Sequence, residues 1–359
     1  MLTSFWKKKT SSMIGIDIGS HSAKAVLLNR NNDGYVLEAV ACVSMPRGAV
    51  IDREIQDIEA VGKVIGKLRK RIDSSVTQVA SAVSGQTVIT KTIFMDVALS
   101  EQELASQIEI EADSLIPFPL DEVSLDFESL NVNESNPSKN DVLLSAARTE
   151  SVEARVSALK SGGFSAKVID VESYALSRAF DLSLGLLPDD ALEKVVATVD
   201  VGAMMTLFSV TESGEHIYSR DQLFGGEQFT RSIASFYNQP FEEAEANKVN
   251  GNLPANYTDD VLLPFQRIIL QQVRRAIQMF LTSSGKENID YLLLSGGCAL
   301  VEGVQKLLND ELNIPTYLAD PFVQMQISDR IDSDQVKISA AKYMVASGLA
   351  LRSFTPWHI

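Results

Sequence analysis

One arrangement occurs twice in this chain and narrows its fold more than any other feature: an apolar strand that runs into Asp-x-Gly. The first copy is Ile14-Gly15-Ile16-Asp17-Ile18-Gly19 and the second is Val199-Asp200-Val201-Gly202. Alternating Ile14, Ile16 and Ile18 predict a short buried strand. A second apolar run covers residues 23–28, and Asn31-Asn32-Asp33-Gly34 turns the chain into a third over residues 35–43. The loop between the first two runs is suited to an anion. Gly19 admits a close backbone approach, N–H groups around Ser20, His21 and Ser22 can converge as a nest, and Lys24 adds a point positive charge. Asp17 offers an acceptor to a metal-bound water. On this segment alone, an ordinary polar turn between two strands fits as well.

The second half repeats the plan. Strands are predicted over residues 195–201, 206–211 and 216–219, and Gly225-Gly226 then opens a helical region. Residues 242–248 form a polar helix and 250–260 a loop, before a long helix with Ile269, Val273, Ile277 and Phe280 at helical spacing. The apolar run Leu292-Leu293-Leu294 ends in Ser295-Gly296-Gly297. Helices follow over residues 301–312 and 339–351.

Between the halves, a helix over residues 57–71 is followed by strands at 76–83 and 87–95. Ser100 with Glu103 forms a capping box, and Leu99 with Leu104 the matching staple. That helix stops at Pro117 and Pro119. Strands at 124–132 and 141–147 and a helix at 151–160, closed by Gly162-Gly163, lead to a strand at 166–171. The block reads as a small α+β module inserted between core strands.

Composition sets outer limits. A chain of 359 residues exceeds one ordinary core and calls for two or more domains. A net charge of −15 argues against a general nucleic-acid binder. Cys42 and Cys298 stand far apart in apolar contexts and are expected as buried thiols, which suits a reducing, cytoplasmic compartment. No apolar run has the length of a transmembrane helix. Phe5, Trp6 and Lys7 to Lys9 could touch an anionic membrane surface, although a frayed, solvated terminus explains them too.

Two acidic turns and a late Gly-Gly turn, in this order, resemble the actin-like ATPase superfamily. The inserted module resembles its FtsA-like branch. Met45-Pro46-Arg47-Gly48-Ala49-Val50-Ile51-Asp52 and Ala112-Asp113-Ser114-Leu115-Ile116-Pro117-Phe118-Pro119-Leu120-Asp121 sharpen the likeness to the PilM family of type IV pilus assembly, over roughly residues 13–352. The resemblance implies an α/β, actin-like ATPase fold of two lobes with an inserted small α+β subdomain. The implied division is a flexible segment at 1–12, a first core subdomain at 13–76 with 164–192, and the inserted subdomain at 77–163. A second core subdomain covers 193–224 with 286–359, and a further subdomain 225–285.

It further implies ATP and Mg²⁺ as ligands. Asp17, Gly19, Ser20, His21, Ser22 and Lys24 would face Asp200 and Gly202 across the phosphates, with the metal held by Asp17 and Asp200 through water. Gly296 and Gly297 would lie against the adenosine, with Gly226 near the nucleotide. Glu245 and Lys248 match nucleoside contacts, or are an i,i+3 pair on an exposed helix. Glu172 stands where relatives carry the acidic residue that faces the attacking water. Ala203, Met204 and Met205 crowd the second turn, so hydrolysis is expected to be slow or absent.

The implied partner is the cytoplasmic N-terminal peptide of the inner-membrane protein PilN, with other pilus-machine proteins and a possible homo-oligomer. That places the chain at the cytoplasmic face of the inner membrane. Two other functions compete. A small-molecule kinase needs a base beside a substrate hydroxyl, and none can be placed. A filament-forming membrane adaptor needs a C-terminal amphipathic helix, and residues 352–359 are short and interrupted by Pro356.

Overall fold

A computed structural model describes residues 12–84, 88–133 and 135–355. The Phe5–Lys9 cluster and His358 lie outside the described residues. The chain opens with an antiparallel meander, β1 (Ile14–Ile18), β2 (Ser22–Asn31) and β3 (Gly34–Ser44). Two short strands, β4 (Val50–Ile51) and β5 (Glu54–Ile55), form a tight hairpin ahead of α1 (Ile58–Ile72). Asp57 caps α1 by accepting from the Ala60 N–H. The strand β6 (Gln78–Val83) then lies parallel to β1.

The module follows as β7 (Ile89–Asp96), α2 (Glu101–Leu115), β8 (Val123–Val132) and β9 (Lys139–Arg148). Its three strands pair antiparallel in the order β7-β9-β8. Ile93, Met95, Ile108, Ala112, Ile116, Val142, Leu144 and Ala146 form a core of their own. The Ser100–Glu103 capping box is formed, and Ile116 leaves the helix in an extended conformation before Pro117.

Next come α3 (Thr149–Ser161), β10 (Ser165–Val171) and α4 (Glu172–Phe180). Although α3 follows the module, it packs on α1, and its Ala158 and Leu159 join the first core with Ile14, Ile16, Val61, Ile65 and Leu68. The separate module core therefore spans β7 to β9, a narrower stretch than residues 77–163.

The second lobe holds β11 (Val195–Val201), β12 (Thr206–Glu212), β13 (Glu215–Gln222), α5 (Gly226–Phe236), α6 (Phe241–Asn250), α7 (Leu263–Ser284), β14 (Tyr291–Ser295), α8 (Val304–Leu312) and β15 (Thr316–Leu318). A wide π turn, Thr258–Leu262, leads into α7 where a loop is expected. Its sheet order, β15-β14-β11-β12-β13, repeats β10-β6-β1-β2-β3 of the first lobe. In both sheets the first three strands are antiparallel and the other two parallel. Asp17 and Asp200 thus stand at matching places in two copies of one plan.

The chain end departs from the expected division. The strand β16 (Gln326–Ile327) pairs with β3, and α9 (Ser333–Ser339) and α10 (Met344–Ala350) follow. Residues expected in the second core subdomain therefore return to the first sheet. Phe322, Val336, Tyr343, Ala346 and Ala350 pack on Val26, Leu28 and Leu37. With α1 on its other side, the first sheet is covered on both faces, which is why β2 reads as a nearly continuous apolar run. The expected single last helix is broken by a 3₁₀ turn, Ala340–Tyr343.

Candidate functional site

Asp17 and Lys24 are cross-strand partners in the β1–β2 hairpin, and Lys24 Nζ lies 2.7 Å from Asp17 Oδ2. Burial works against the lysine charge, yet Asp17 outweighs it and holds Lys24 above its ordinary value. The turn between them is closed by the Gly19 N–H donating to Ser22 O at 3.1 Å. Ser20 is partly exposed and Ser22 buried. His21 Nε2 reaches across to Glu245 Oε1 at 3.8 Å. Burial lowers the His21 pKa despite that carboxylate.

On the second lobe, Asp200 Oδ2 accepts from Ser295 Oγ at 2.6 Å. Burial, supported by the charges of Glu172 and Asp17, pushes Asp200 up to about 6, against Ser295 and Lys24, which lower it. These mutual influences put Asp17, Lys24, Asp200 and Glu172 around one cleft. The Gly202 N–H donates to Met205 O at 2.9 Å, and Gly202 O accepts from the Gly226 N–H at 3.0 Å and from Cys298 Sγ at 3.3 Å. The backbones of Gly202, Met205 and Gly226 and the Cys298 thiol are thus packed together beside Asp200. A Cβ on Gly226 would come within 2.6 Å of Cys298 Sγ.

Gly296 has φ +88°, and a Cβ there would meet Val201 O at 2.4 Å. Gly297 faces open space, with nothing within 4 Å of a built Cβ. Glu245 and Lys248 are paired at 2.7 Å, and Thr230 Oγ1 donates to Glu245 Oε2 and accepts from Lys248 Nζ. They form a partly buried triad, and His21 links it to the β1–β2 turn, so the pair is more than an exposed helix contact.

Glu172 is the first residue of α4, and Arg53 holds it in an ion pair. Burial opposes its charge, but the Arg53 guanidinium keeps its carboxyl below the usual range. Among the described residues no group of three or more His, Cys, Asp or Glu could hold a metal. A metal here would rely on Asp17 and Asp200 and on its own waters.

Sequence reasoning missed Arg53, Asp221, Thr230 and Ser295. Arg53 directly follows the Met45–Asp52 segment, so its one available signal is an arginine where an Asp-Gly turn would be ordinary. Cys298 is buried, its thiol pushed by burial to about 12, whereas Cys42 is only partly buried, in β3. His216 lies edge-on to Tyr174 with ring centres 5.2 Å apart, and its Nδ1 is 3.3 Å from Ser209 Oγ.

The sequence profile of the type IV pilus assembly protein PilM family matches residues 15–354. The chain belongs to the PilM family. A solved PilM-PilN type IV pilus biogenesis complex is similar at 26% identity and a TM-score of 0.80, covering 96% of this chain and 99% of that one. The ethanolamine utilization protein EutJ from Carboxydothermus hydrogenoformans is similar at 15% identity, with a TM-score of 0.56 over 94% of this chain and 89% of that one. A diol dehydratase-reactivating factor in nucleotide-free form follows at 10% identity and a TM-score of 0.53, over 95% and 99%. The fold is that of the actin-like ATPases, and the PilM family sets its role in type IV pilus assembly. Among the described residues no helix is long and apolar enough to cross a membrane.

Proposed function

We propose that this chain is an ATP-binding scaffold of the type IV pilus machine that holds the cytoplasmic N-terminal peptide of PilN at the inner membrane. The observation that carries this reading is the likeness to a PilM-PilN complex over nearly the whole of both chains. The cleft supports the nucleotide half of it. Asp17 with Lys24 and Asp200 with Gly202 oppose each other at matching sheet positions, and Gly297 leaves room beside them. Asp17 and Asp200 fit a magnesium ion that keeps most of its water. When bound, Mg²⁺ would neutralise phosphate charge. Asp17 and Asp200 would accept from its waters, and Lys24 would hold phosphate oxygens. Turnover is slow in this reading, because Glu172 is engaged by Arg53 and the Met204–Met205 turn offers backbone alone. The membrane-adaptor alternative is not favoured, since the PilM family profile matches residues 15–354.

The peptide groove is assigned to the junction of the β7–β9 module with the first lobe, away from residues 225–285. Short peptides gain affinity from a few apolar anchors plus backbone pairing. A peptide copying the first dozen or so residues of PilN should bind in calorimetry. Phe94→Ser and Ile110→Ser, at exposed module positions, should weaken it, and Val249→Ser on α6 should leave it intact. The reverse pattern places the site in the wrong half. Mg-ATP at a hundredfold excess over its Kd should stabilise the cleft by about 2.7 kcal/mol, and an absence of both heat and thermal shift removes ATP from the reading.

A further inference from the structure

The turn that joins β4 to β5 carries two residues in left-handed conformations, Asp52 at φ +48° and Arg53 at φ +67°. Ile51 pairs with Glu54 across it, so it is a two-residue hairpin turn of the kind that favours Asp-Gly. An arginine in the second position is strained where glycine would not be. Strain of this kind persists when the side chain is needed elsewhere.

The Arg53 side chain goes inward and is 12% exposed. It pairs with Glu172 in the first lobe, and its Nη2 lies 3.6 Å from Asp221 Oδ1 on β13 in the second lobe. The turn is also held from behind: Arg53 O accepts from Arg155 Nη2, and that side chain, 3% exposed, also donates to Ala82 O at 2.7 Å. A few residues earlier in the same segment, Arg47 lies over the Phe241 ring at 4.1 Å and within 3.8 Å of Glu227 and Glu242. The Met45 N–H donates to His21 O at 2.8 Å, which ties the segment to the first phosphate turn. One stretch of the first lobe thus reaches the second lobe at two points.

We propose that Arg53 is an interlobe clasp and a positioning residue for Glu172: its guanidinium holds the second lobe through Asp221 while it occupies the Glu172 carboxylate. Closure of the lobes and freedom of Glu172 are then opposed, so the closed cleft holds a nucleotide instead of hydrolysing it. The turnover part rests on the proposed ATP site. The clasp part does not.

Arg53→Gly supplies the residue type that the turn conformation favours, so the variant keeps the fold. Hydrogen exchange in the nucleotide-free full chain reads the clasp, and single-turnover hydrolysis of Mg-ATP with protein in excess reads Glu172. In Arg53→Gly, exchange at Ser219 to Gln222 should quicken by about fivefold or more. Hydrolysis should rise by about tenfold, against the hundredfold and upward that an unhindered general base supplies. Arg53→Lys should stay near the parent in both. Asp221→Asn should quicken exchange yet leave hydrolysis unchanged, because Arg53 still occupies Glu172. Unchanged exchange in Arg53→Gly overturns the clasp. Hydrolysis that falls in Arg53→Gly overturns the masking of Glu172 and makes Arg53 a phosphate ligand. If Mg-ATP leaves the parent's exchange untouched at saturating concentration, the ATP site fails, and the exchange comparison still decides the clasp.

Discussion

Asp200 is the residue whose surroundings make the sharpest demand. Its value of about 6 lies above the ordinary 3.8, so the folded protein binds this proton more tightly than the unfolded chain between those two pH values. Stability from this group is therefore fully present below about pH 4 and lost as pH rises through 6. The ionised carboxylate at pH 8 costs about 3 kcal/mol relative to the protonated one. Asp200→Asn keeps an oxygen for Ser295 and carries no charge. In nucleotide-free protein it should match the parent at pH 4 and exceed it by about 3 kcal/mol at pH 8, read by circular dichroism in urea. An equal gain at both pH values would mean that burial of the charge is not what raises Asp200. Apolar alternation made the strands that carry Asp17 and Asp200 legible, while a cleft shared by the two was only what the resemblance to the actin-like ATPases implies. Arg53 was not legible. Its partner Glu172 is 119 residues away, and no local pattern announces a pair made only by folding.

At the scale of elements, the turn after β14 separates two glycines that look equivalent in sequence. Gly296 is required by the fold: its φ is left-handed, its N–H donates to Ala341 O at 3.0 Å, and a side chain would strike Val201 O. Gly296→Ala should cost at least about 3 kcal/mol. Gly297 has open space on its Cβ side, so Gly297→Val should change stability by no more than about 0.5 kcal/mol. If the adenosine lies there, the same change should weaken ATP binding by about tenfold or more, roughly 1.4 kcal/mol. A stable Gly297→Val protein with undiminished ATP affinity would move the base elsewhere. Long periodic elements such as α1, α7 and the β1–β3 meander were legible from spacing alone. The strands β4, β5, β15 and β16 are two or three residues long, too short for alternation to register. The helix α4 follows β10 with no glycine, proline or side-chain cap to mark its start.

At the scale of the whole molecule, the chain's return to its first lobe decides how the two halves hold together. The helix α10 is wedged between β1 and α4 at two glycine contacts. A Cβ on Gly15 would meet Ala346 O at 2.0 Å, and a Cβ on Gly348 would meet Ala175 O at 1.7 Å. Neither neighbour is a flexible side-chain end, so the backbones themselves must part to admit a methyl group. A helix over this segment was legible from sequence, but the first-lobe role of residues 326–353 was not, because the contacts with β1, β3 and α4 that assign it are made only by folding. Packing of α10 covers β1, β2 and β6, and its Met344, Val345 and Leu349 also join the edge of the second-lobe core, whose aromatic pair, Phe229 stacked on Phe265 at 4.3 Å, lies on α5 and α7. Gly348→Ala should therefore destabilise the first lobe by about 3 kcal/mol or more and disturb the second lobe less, at the edge where α4 and α10 meet it. A chain of two lobes need not unfold in one step. Heating the variant should split the parent's melting profile, with exchange protection of β1 and β2 lost at the lower transition and that of β11 and β14 at the upper. A single transition shifted as a whole would show that the lobes unfold together, and that α10 serves the interface as much as the sheet it covers.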